Sequence, residues 1–481
     1  MKRILALTAA ACLALSACSA AAAERSSNHV AAPKKAPPNI VFVLTDDLAM
    51  NLVPYMPHVQ QMQQQGTTFG NYFVTDSLCC PSRTTTFTGR FPHNTGVFTN
   101  GGNDGGYQTF NARGNQNHTF ATALQAAGYR TAMMGKYLNG YQPSDPVPPG
   151  WSEWDVAGNG YPEFNYSLNE NGRVVKYGHQ PKDYLTNVLS NKGQQFIGQS
   201  AKAGKPFVLE LATFAPHAPY TPAPQDKNKF PGLKAPRGPA FNEADMSDKP
   251  AWIKNHKKLT AKQITTIDNV FRKRAQAVQA VDRMIGNIQT ALKNNGVDRD
   301  TYLVFSSDNG FHLGEHRLAQ GKMTAYDTDI KVPLVVKGPG VAAGHTTNTL
   351  AQNTDLCPTF EDLAGVKVPA AVDGRSLAPF FKAGPGQKSR DGVLIEHHGP
   401  DHLAGDPDLQ AAASGNPPSY EAVRTGHEVY VEYADGEREY YDLSRDPNEL
   451  DNAVTRLPAA RLKQLTSLLH RLEKCSGKTC H

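Results

Sequence analysis

Four short runs of apolar and β-branched residues, 39–44, 129–134, 207–211 and 302–305, punctuate the first two thirds of the chain. Each is too short for a helix of ordinary length and lacks strict alternation, which predicts strands buried on both faces. Helical patterning separates them. The longest stretch, 261–294, places Ile264, Ile267, Phe271, Val278, Val281, Ile285 and Ile288 on one apolar stripe at three- and four-residue steps. Strands alternating with helices predict a large layered α/β domain with a central mixed, mostly parallel sheet flanked by helices. From residue 393 the pattern changes. Runs at 428–434 and 437–443 flank Asp435-Gly436, a good hairpin turn, and a helical run at 459–472 is expected to pack on the resulting sheet. The expected division is therefore a catalytic-type domain over 38–385 and a smaller C-terminal subdomain over 386–481, with an antiparallel sheet and a helix. No internal repeat, coiled coil or nucleotide-binding loop is present.

The N-terminus reads differently. Lys2 and Arg3 precede an apolar run at 4–15 that ends in Leu15, Ser16, Ala17 and Cys18, the pattern of a secretory signal. Its close is similar to a bacterial lipobox, so residues 1–18 are expected to be a signal peptide ending at a lipidated Cys18; cleavage by signal peptidase in the following alanine run is the other reading. The apolar run is short for a membrane span. Residues 19–37, rich in Ala, Ser, Lys and Pro, read as a flexible spacer. The expectation is an exported protein, either a cell-surface lipoprotein or secreted or periplasmic, touching membrane only through an N-terminal lipid.

A net charge of +5 over 481 residues is too mild to argue for a nucleic-acid partner, though it suits a basic cleft for an anionic substrate. Of seven cysteines, Cys12 and Cys18 fall in the leader. Cys475 and Cys480 frame a short loop and read as a local disulfide in an oxidising compartment. Cys80 and Cys357 are either paired or free.

Candidate chemistry lies at strand ends. Asp46 and Asp47 follow the first apolar run, and Asp308 and Asn309 follow the run at 302–305. Open α/β sheets bind ligands beyond the carboxyl ends of their strands, so the two pairs are expected to meet. Asp46, Asp47, Asp308 and Asn309 offer only oxygen, which suits a hard divalent cation rather than zinc. An acidic pair after a strand also serves as a helix cap.

The most informative segment is Cys79, Cys80, Pro81, Ser82, Arg83, followed after four residues by Thr88, Gly89 and Arg90. It resembles the signature of the type I, formylglycine-dependent sulfatases of the alkaline phosphatase-like superfamily. Counting from Pro81 and Arg83 selects Cys79 as the modified residue. The resemblance implies that a formylglycine-generating enzyme converts Cys79 to an aldehyde. The hydrated aldehyde attacks sulfur with one hydroxyl and later expels sulfate through the other, dividing one hard step into two. It further implies that Asp46, Asp47, Asp308, Asn309 and the modified Cys79 bind calcium, with magnesium a possible substitute, and that Arg83 orients the diol from one helical turn away. Lys136 in a Gly-Lys pair, His217 in Pro-His-Ala-Pro and Lys322 in another Gly-Lys pair match family positions that receive the sulfate or protonate the leaving alcohol. The pair Cys79-Cys80, Gly-Lys-Tyr-Leu-Asn at 135–139 and Asp-Ile-Lys-Val-Pro-Leu at 329–334 resemble the N-acetylglucosamine-6-sulfatase branch, which implies a sulfated sugar or another sulfate ester as substrate, within the class of glycosaminoglycan units.

One position departs from the family. Many sulfatases carry a histidine two residues after the first Gly-Lys lysine, where this chain has Leu138. That leaves the base for sulfate elimination open between His312 and a water held by Asn139, both also candidate substrate contacts. His93 and His316 read as scaffold or substrate-rim residues. Two rivals complete the expectations: a phosphonate or phosphodiester hydrolase using the same modified cysteine, and an inactive glycan-binding lipoprotein.

Overall fold

The computed structural model describes residues 37–384 and 388–481. The signal peptide and all but the last residue of the spacer expected at 1–37 lie outside the described residues. Ten strands form the main sheet: β1 (Asn39–Thr45), β2 (Thr67–Phe73), β3 (Arg130–Lys136), β4 (Glu153–Ala157), β5 (Ser167–Glu170), β6 (Arg173–Lys176), β7 (Phe207–Ala212), β8 (Thr301–Ser307), β9 (Leu334–Lys337) and β10 (His345–Gln352). Their order is β10-β2-β9-β8-β1-β7-β3-β4-β5-β6. The five central strands, β8 to β4, run parallel, while β9, β5 and β6 bring in the antiparallel pairings.

β1 shows why the central strands lack alternation. Ile40, Phe42 and Leu44 enter the core on one face and Val41 and Val43 the core on the other. Helices cover both faces. The long helix Ala261–Asn294 packs Ile267, Phe271, Val278, Val281, Ile285 and Ile288 into the second core, as its stripe predicts, and starts at a Thr260 capping box.

A second sheet holds β11 (Val393–His397), β12 (Tyr420–Arg424), β13 (Glu428–Tyr433) and β14 (Arg438–Asp442), all antiparallel. The turn between β13 and β14 contains Gly436 at φ +90, the left-handed conformation that glycine adopts without strain. The helix Ala459–Leu472 packs Leu465, Leu469 and Leu472 against Leu394, Val423 and Tyr430 of this sheet. Cys475 and Cys480 are disulfide-bonded, and Cys80 and Cys357 are free and buried. Among the described residues, no helix is long and apolar enough to cross a membrane.

Candidate active site

β1 and β8 are parallel neighbours with Thr45 opposite Ser307, so the residues following each strand emerge side by side. This register brings the two acidic pairs together. The backbone N–H of Asp47 donates to Asp308 Oδ1 at 3.0 Å, and that of Asp308 to the Thr45 carbonyl at 3.0 Å. Asn309 Nδ2 donates to Asp47 Oδ1 at 2.7 Å. All four residues are buried, and carboxylate oxygens of Asp46, Asp47 and Asp308 lie with Cys79 Sγ within 4.8 Å of one another.

Cys79 opens a helix, Cys79–Thr88, in which every residue is buried. The helix stops at Gly89, φ +68, whose N–H caps the Thr85 carbonyl; a Cβ there would approach Cys357 Cβ at 3.1 Å and Val372 closer still. The Thr-Gly of the motif is thus a helix stop packed against a neighbour. Cys79 Sγ lies 3.1 Å from Asp46 Oδ1 and 2.9 Å from Lys322 Nζ. Burial, with Asp308, Asp408 and Asp46 nearby, pushes the thiol well up. That is the reverse of the environment that activates a nucleophilic thiolate.

The cations are arranged around these carboxylates. Lys136, at the end of β3, places Nζ 2.6 Å from Asp46 Oδ2 and over the Tyr161 ring at 5.0 Å. Lys322 Nζ is 2.6 Å from Asp47 Oδ1. His217 follows β7; its Nδ1 contacts the Ala218 carbonyl at 2.8 Å and its Nε2 lies 3.7 Å from Asp47 Oδ2. Burial opposes charge on His217, but Asp47 and Asp408 hold its pKa above the ordinary value. Burial likewise disfavours the charge on Asp46, but Lys136, His217, Arg83 and Lys322 together outweigh it and hold the carboxyl below the usual range. Asp308 goes the other way: burial lifts it to about 6 against the pull of Arg83, with Asp46 adding repulsion. A cluster of buried carboxylates in which one member is driven toward protonation has the charge and donor type that a divalent cation satisfies. Asp46, Asp47, Asp308 and Asn309 therefore fit a calcium-type ion.

Arg83 Nε donates to Asp308 Oδ2 at 2.8 Å and Nη1 to the Lys136 carbonyl at 2.9 Å. These acceptors fix the guanidinium and leave its buried Nη2 without a protein partner among the described residues, a donor free for a group formed at Cys79. One expected contact is corrected: His312 does not reach Cys79. Its Nδ1 pairs with Asp329 at 2.9 Å and its Nε2 with the Ser414 carbonyl at 2.9 Å, so both ring nitrogens are committed. His93 and His316 are scaffold, tied to Glu396 and Glu243 at 2.8 and 2.6 Å.

Three residues absent from the expected set complete the site. Asp408, from the connection between β11 and β12, places Oδ1 2.6 Å from His217 Nε2 and 2.7 Å from Lys322 Nζ. Arg274, on the long helix, donates to the Asp47 carbonyl and, at 3.4 Å, to that of Pro216. Its signal was in the sequence: it interrupts the apolar stripe between Phe271 and Val278, where a charge is buried. Tyr161 lies against both Lys136 and His217, its ring 4.5 Å from the imidazole. A cavity of about 640 Å³ opens onto Lys136, Asn139, Tyr161 and His217, with Leu138 in its wall.

Buried oxygen donors that suit a divalent cation, a cysteine at a helix start and buried Lys136 and Lys322 beside them make a site whose charges suit a small oxyanion. Sequence comparison names the class. The Sulfatase family matches residues 38–366, and the N-sulphoglucosamine sulphohydrolase, C-terminal, family matches residues 314–476. The chain belongs to the sulfatase family and is a sulfuric ester hydrolase. It is similar to N-acetylglucosamine-6-sulfatase of Capra hircus, 34% identical over 475 residues that cover 92% of this chain and 84% of that protein. The Homo sapiens protein of that name is 33% identical over 475 residues, covering 92% and 86%. Among solved structures, a protein in complex with its substrate D-glucosamine-2-N,6-O-disulfate superposes with a TM-score of 0.74 at 24% identity, covering 91% of this chain and 98% of that one. A phosphonate monoester hydrolase of Agrobacterium radiobacter gives 0.70 at 22% identity, covering 90% and 95%. These two show the shared fold.

Proposed function

We propose that this sulfatase removes sulfate from a sulfated sugar of the N-acetylglucosamine-6-sulfate type, using formylglycine formed from Cys79 and a calcium ion, with magnesium able to substitute. The observation that carries the sugar assignment is the likeness, over nine tenths of the chain, to N-acetylglucosamine-6-sulfatases. Burial and the neighbouring carboxylates push the Cys79 thiol up, which speaks against thiolate chemistry at this position. Formylglycine at this position, beside a divalent cation held by Asp46, Asp47, Asp308 and Asn309, supplies a hydrated aldehyde as nucleophile and a Lewis acid for the sulfate oxygens.

The protein's own side chains do the rest. Lys136 and Lys322 receive the sulfate charge, and each gains freedom to do so as Asp46 and Asp47 turn to a cation. His217 carries a proton on Nε2, held there by its carboxylate neighbours, and delivers it to the leaving sugar oxygen. Arg83 fixes Asp308 and the end of β3. Asn139 sits in the cavity wall with Leu138, placed to hold the water that serves as base where the family histidine is missing. The described fold fits a catalytic domain over 38–385 and a C-terminal subdomain over 386–481. Export, with or without a lipid on Cys18, fits the leader, and maturation then requires a formylglycine-generating enzyme.

The test compares hydrolysis of N-acetylglucosamine-6-sulfate, an aryl sulfate and a phosphonate or phosphate diester by protein made with the modifying enzyme. The sugar sulfate is expected to have the highest kcat/KM. A higher value for the diester sinks the sugar sulfatase reading and favours the phosphonate hydrolase alternative.

A further inference from the structure

Asp408 creates a conflict of occupancy. Lys322 and His217 are read above as groups that receive sulfate, yet Asp408 Oδ1 lies 2.7 Å from the Lys322 ammonium and 2.6 Å from His217 Nε2. A carboxylate oxygen and a sulfate oxygen cannot share that position. Access is affected as well. Lys136 and His217 line the cavity, whereas Cys79 and Lys322 do not, and both of these are buried. Asp408 joins a residue of the cavity wall, His217, to one behind it, Lys322.

Electrostatics explains why a carboxylate occupies the place. Asp47 also faces both groups, at 2.6 Å from Lys322 Nζ and 3.7 Å from His217 Nε2. Once Asp47 serves as a metal ligand, however, an empty subsite would leave the Lys322 and His217 charges buried without a counterion, which is costly. A sulfate monoester brings one negative charge, and Asp408 carries one, so exchanging them leaves the charge of the subsite unchanged. We propose that Asp408 is the internal counterion of the sulfate subsite: it neutralises Lys322 and His217 in the free enzyme, turns aside when the sulfate ester enters, and returns as product sulfate leaves. The inference rests on the sulfate-binding reading of those two residues.

The surroundings fit a side-chain exchange on a fixed backbone. Asp408 N–H donates to Asp406 Oδ1 at 2.9 Å, and Gln410 Nε2 donates to the Asp408 carbonyl at 2.6 Å. Asn100 Nδ2 lies 2.7 Å from Asp408 Oδ2 and 3.2 Å from Asp406 Oδ1, and Asn139 Nδ2 lies 3.5 Å from Asp408 Oδ2. These amides offer the displaced carboxylate partners next to its present position. As a tethered competitor, Asp408 weakens ester and product binding alike, and it hastens product release.

Titration calorimetry of inorganic sulfate into the full chain, calcium-loaded, tests this in the wild type and in Asp408→Asn. Sulfate is expected to bind at least tenfold more tightly to the variant, and to inhibit its ester hydrolysis at correspondingly lower concentration. Asp408→Ala, which leaves no amide between the two cations, repeats the comparison, and circular dichroism verifies folding of both. Equal or weaker sulfate binding in a folded variant, beside measurable binding in the wild type, overturns the counterion role alone. Absence of sulfate binding in the wild type as well removes the sulfate-subsite reading, and the inference with it.

Discussion

Arg83→Met separates two roles that sequence cannot distinguish: support of Asp308 and the Lys136 carbonyl, which Nε and Nη1 bond, and contact with the nucleophile at position 79. Both members of the Arg83–Asp308 pair are fully buried, and removing one partner of such a pair typically costs about 3–5 kcal/mol. The structure bounds the Asp308 share of that cost. With Arg83 present, burial already lifts Asp308 to about 6 in the metal-free protein. Without Arg83 its pKa rises further, so at pH 7 the carboxyl takes a proton instead of staying charged. Relative to the wild type this costs on the order of 1 kcal/mol, one pH unit above 6. Lost hydrogen bonds from a charged donor add about 1.5–3 kcal/mol. The expected deficit is therefore about 3–4 kcal/mol at pH 7.

The same reasoning gives that deficit a pH dependence with a definite sign. Above pH 6 the folded variant holds a proton on Asp308 that neither the folded wild type nor the unfolded chain holds. Its stability therefore falls with rising pH while this contribution to the wild type stays level. The deficit should grow by on the order of 1 kcal/mol between pH 7 and pH 8 and shrink by less than that between pH 7 and pH 6, where the wild-type carboxyl is itself half protonated. Urea denaturation of chelator-treated protein at the three pH values measures it. A deficit below about 1 kcal/mol, or one independent of pH, combined with lost turnover, would refute this account and return Arg83 to the nucleophile.

Mass spectrometry of the Cys79 peptide, from protein co-produced with a formylglycine-generating enzyme, should find the aldehyde, and an unmodified thiol throughout active protein would exclude the mechanism. Cys79→Ala should abolish hydrolysis with the fold intact, whereas Cys80→Ala should largely keep turnover; equal losses would mean that the neighbouring cysteine is the one modified. Calcium affinity should fall about tenfold per pH unit below pH 6, because the Asp308 carboxyl at about 6 must release a proton to bind the ion; calorimetry showing a flat affinity from pH 7 to pH 5 would remove Asp308 from the ligands. Cys475→Ser opens a loop with a sequence separation of 5 and should cost about 2 kcal/mol in denaturant with kcat unchanged.

The site was legible wherever strand chemistry or a short motif fixed it. Parallel pairing of β1 with β8 follows from two runs that are apolar without alternation, and the register then places Asp46 and Asp47 beside Asp308 and Asn309 without help from any loop. Lys136 was readable for the same reason, as the last residue of a strand in that sheet. Arg274 was legible but unread: one charged residue on an otherwise apolar helical stripe must find buried partners, and the carbonyls of Asp47 and Pro216 supply them. The Asp308 and Lys136 partners of Arg83 were not legible, since helical spacing sets which groups are near one another and acceptor strength decides which of them is bonded. Asp408 had no signal of either kind. It lies in an irregular connection between two strands of the C-terminal sheet, beside Asp401 and Asp406, and nothing in local pattern distinguishes one of these acids from the others. Only the docking of that connection over the ends of the main sheet, with Ala319 N–H on the Ala413 carbonyl at 2.7 Å and His312 on that of Ser414, selects it. The residue that answers the charges of Lys322 and His217 is therefore supplied by a connection whose conformation depends on tertiary contacts, and those two cations likewise lie outside the strands.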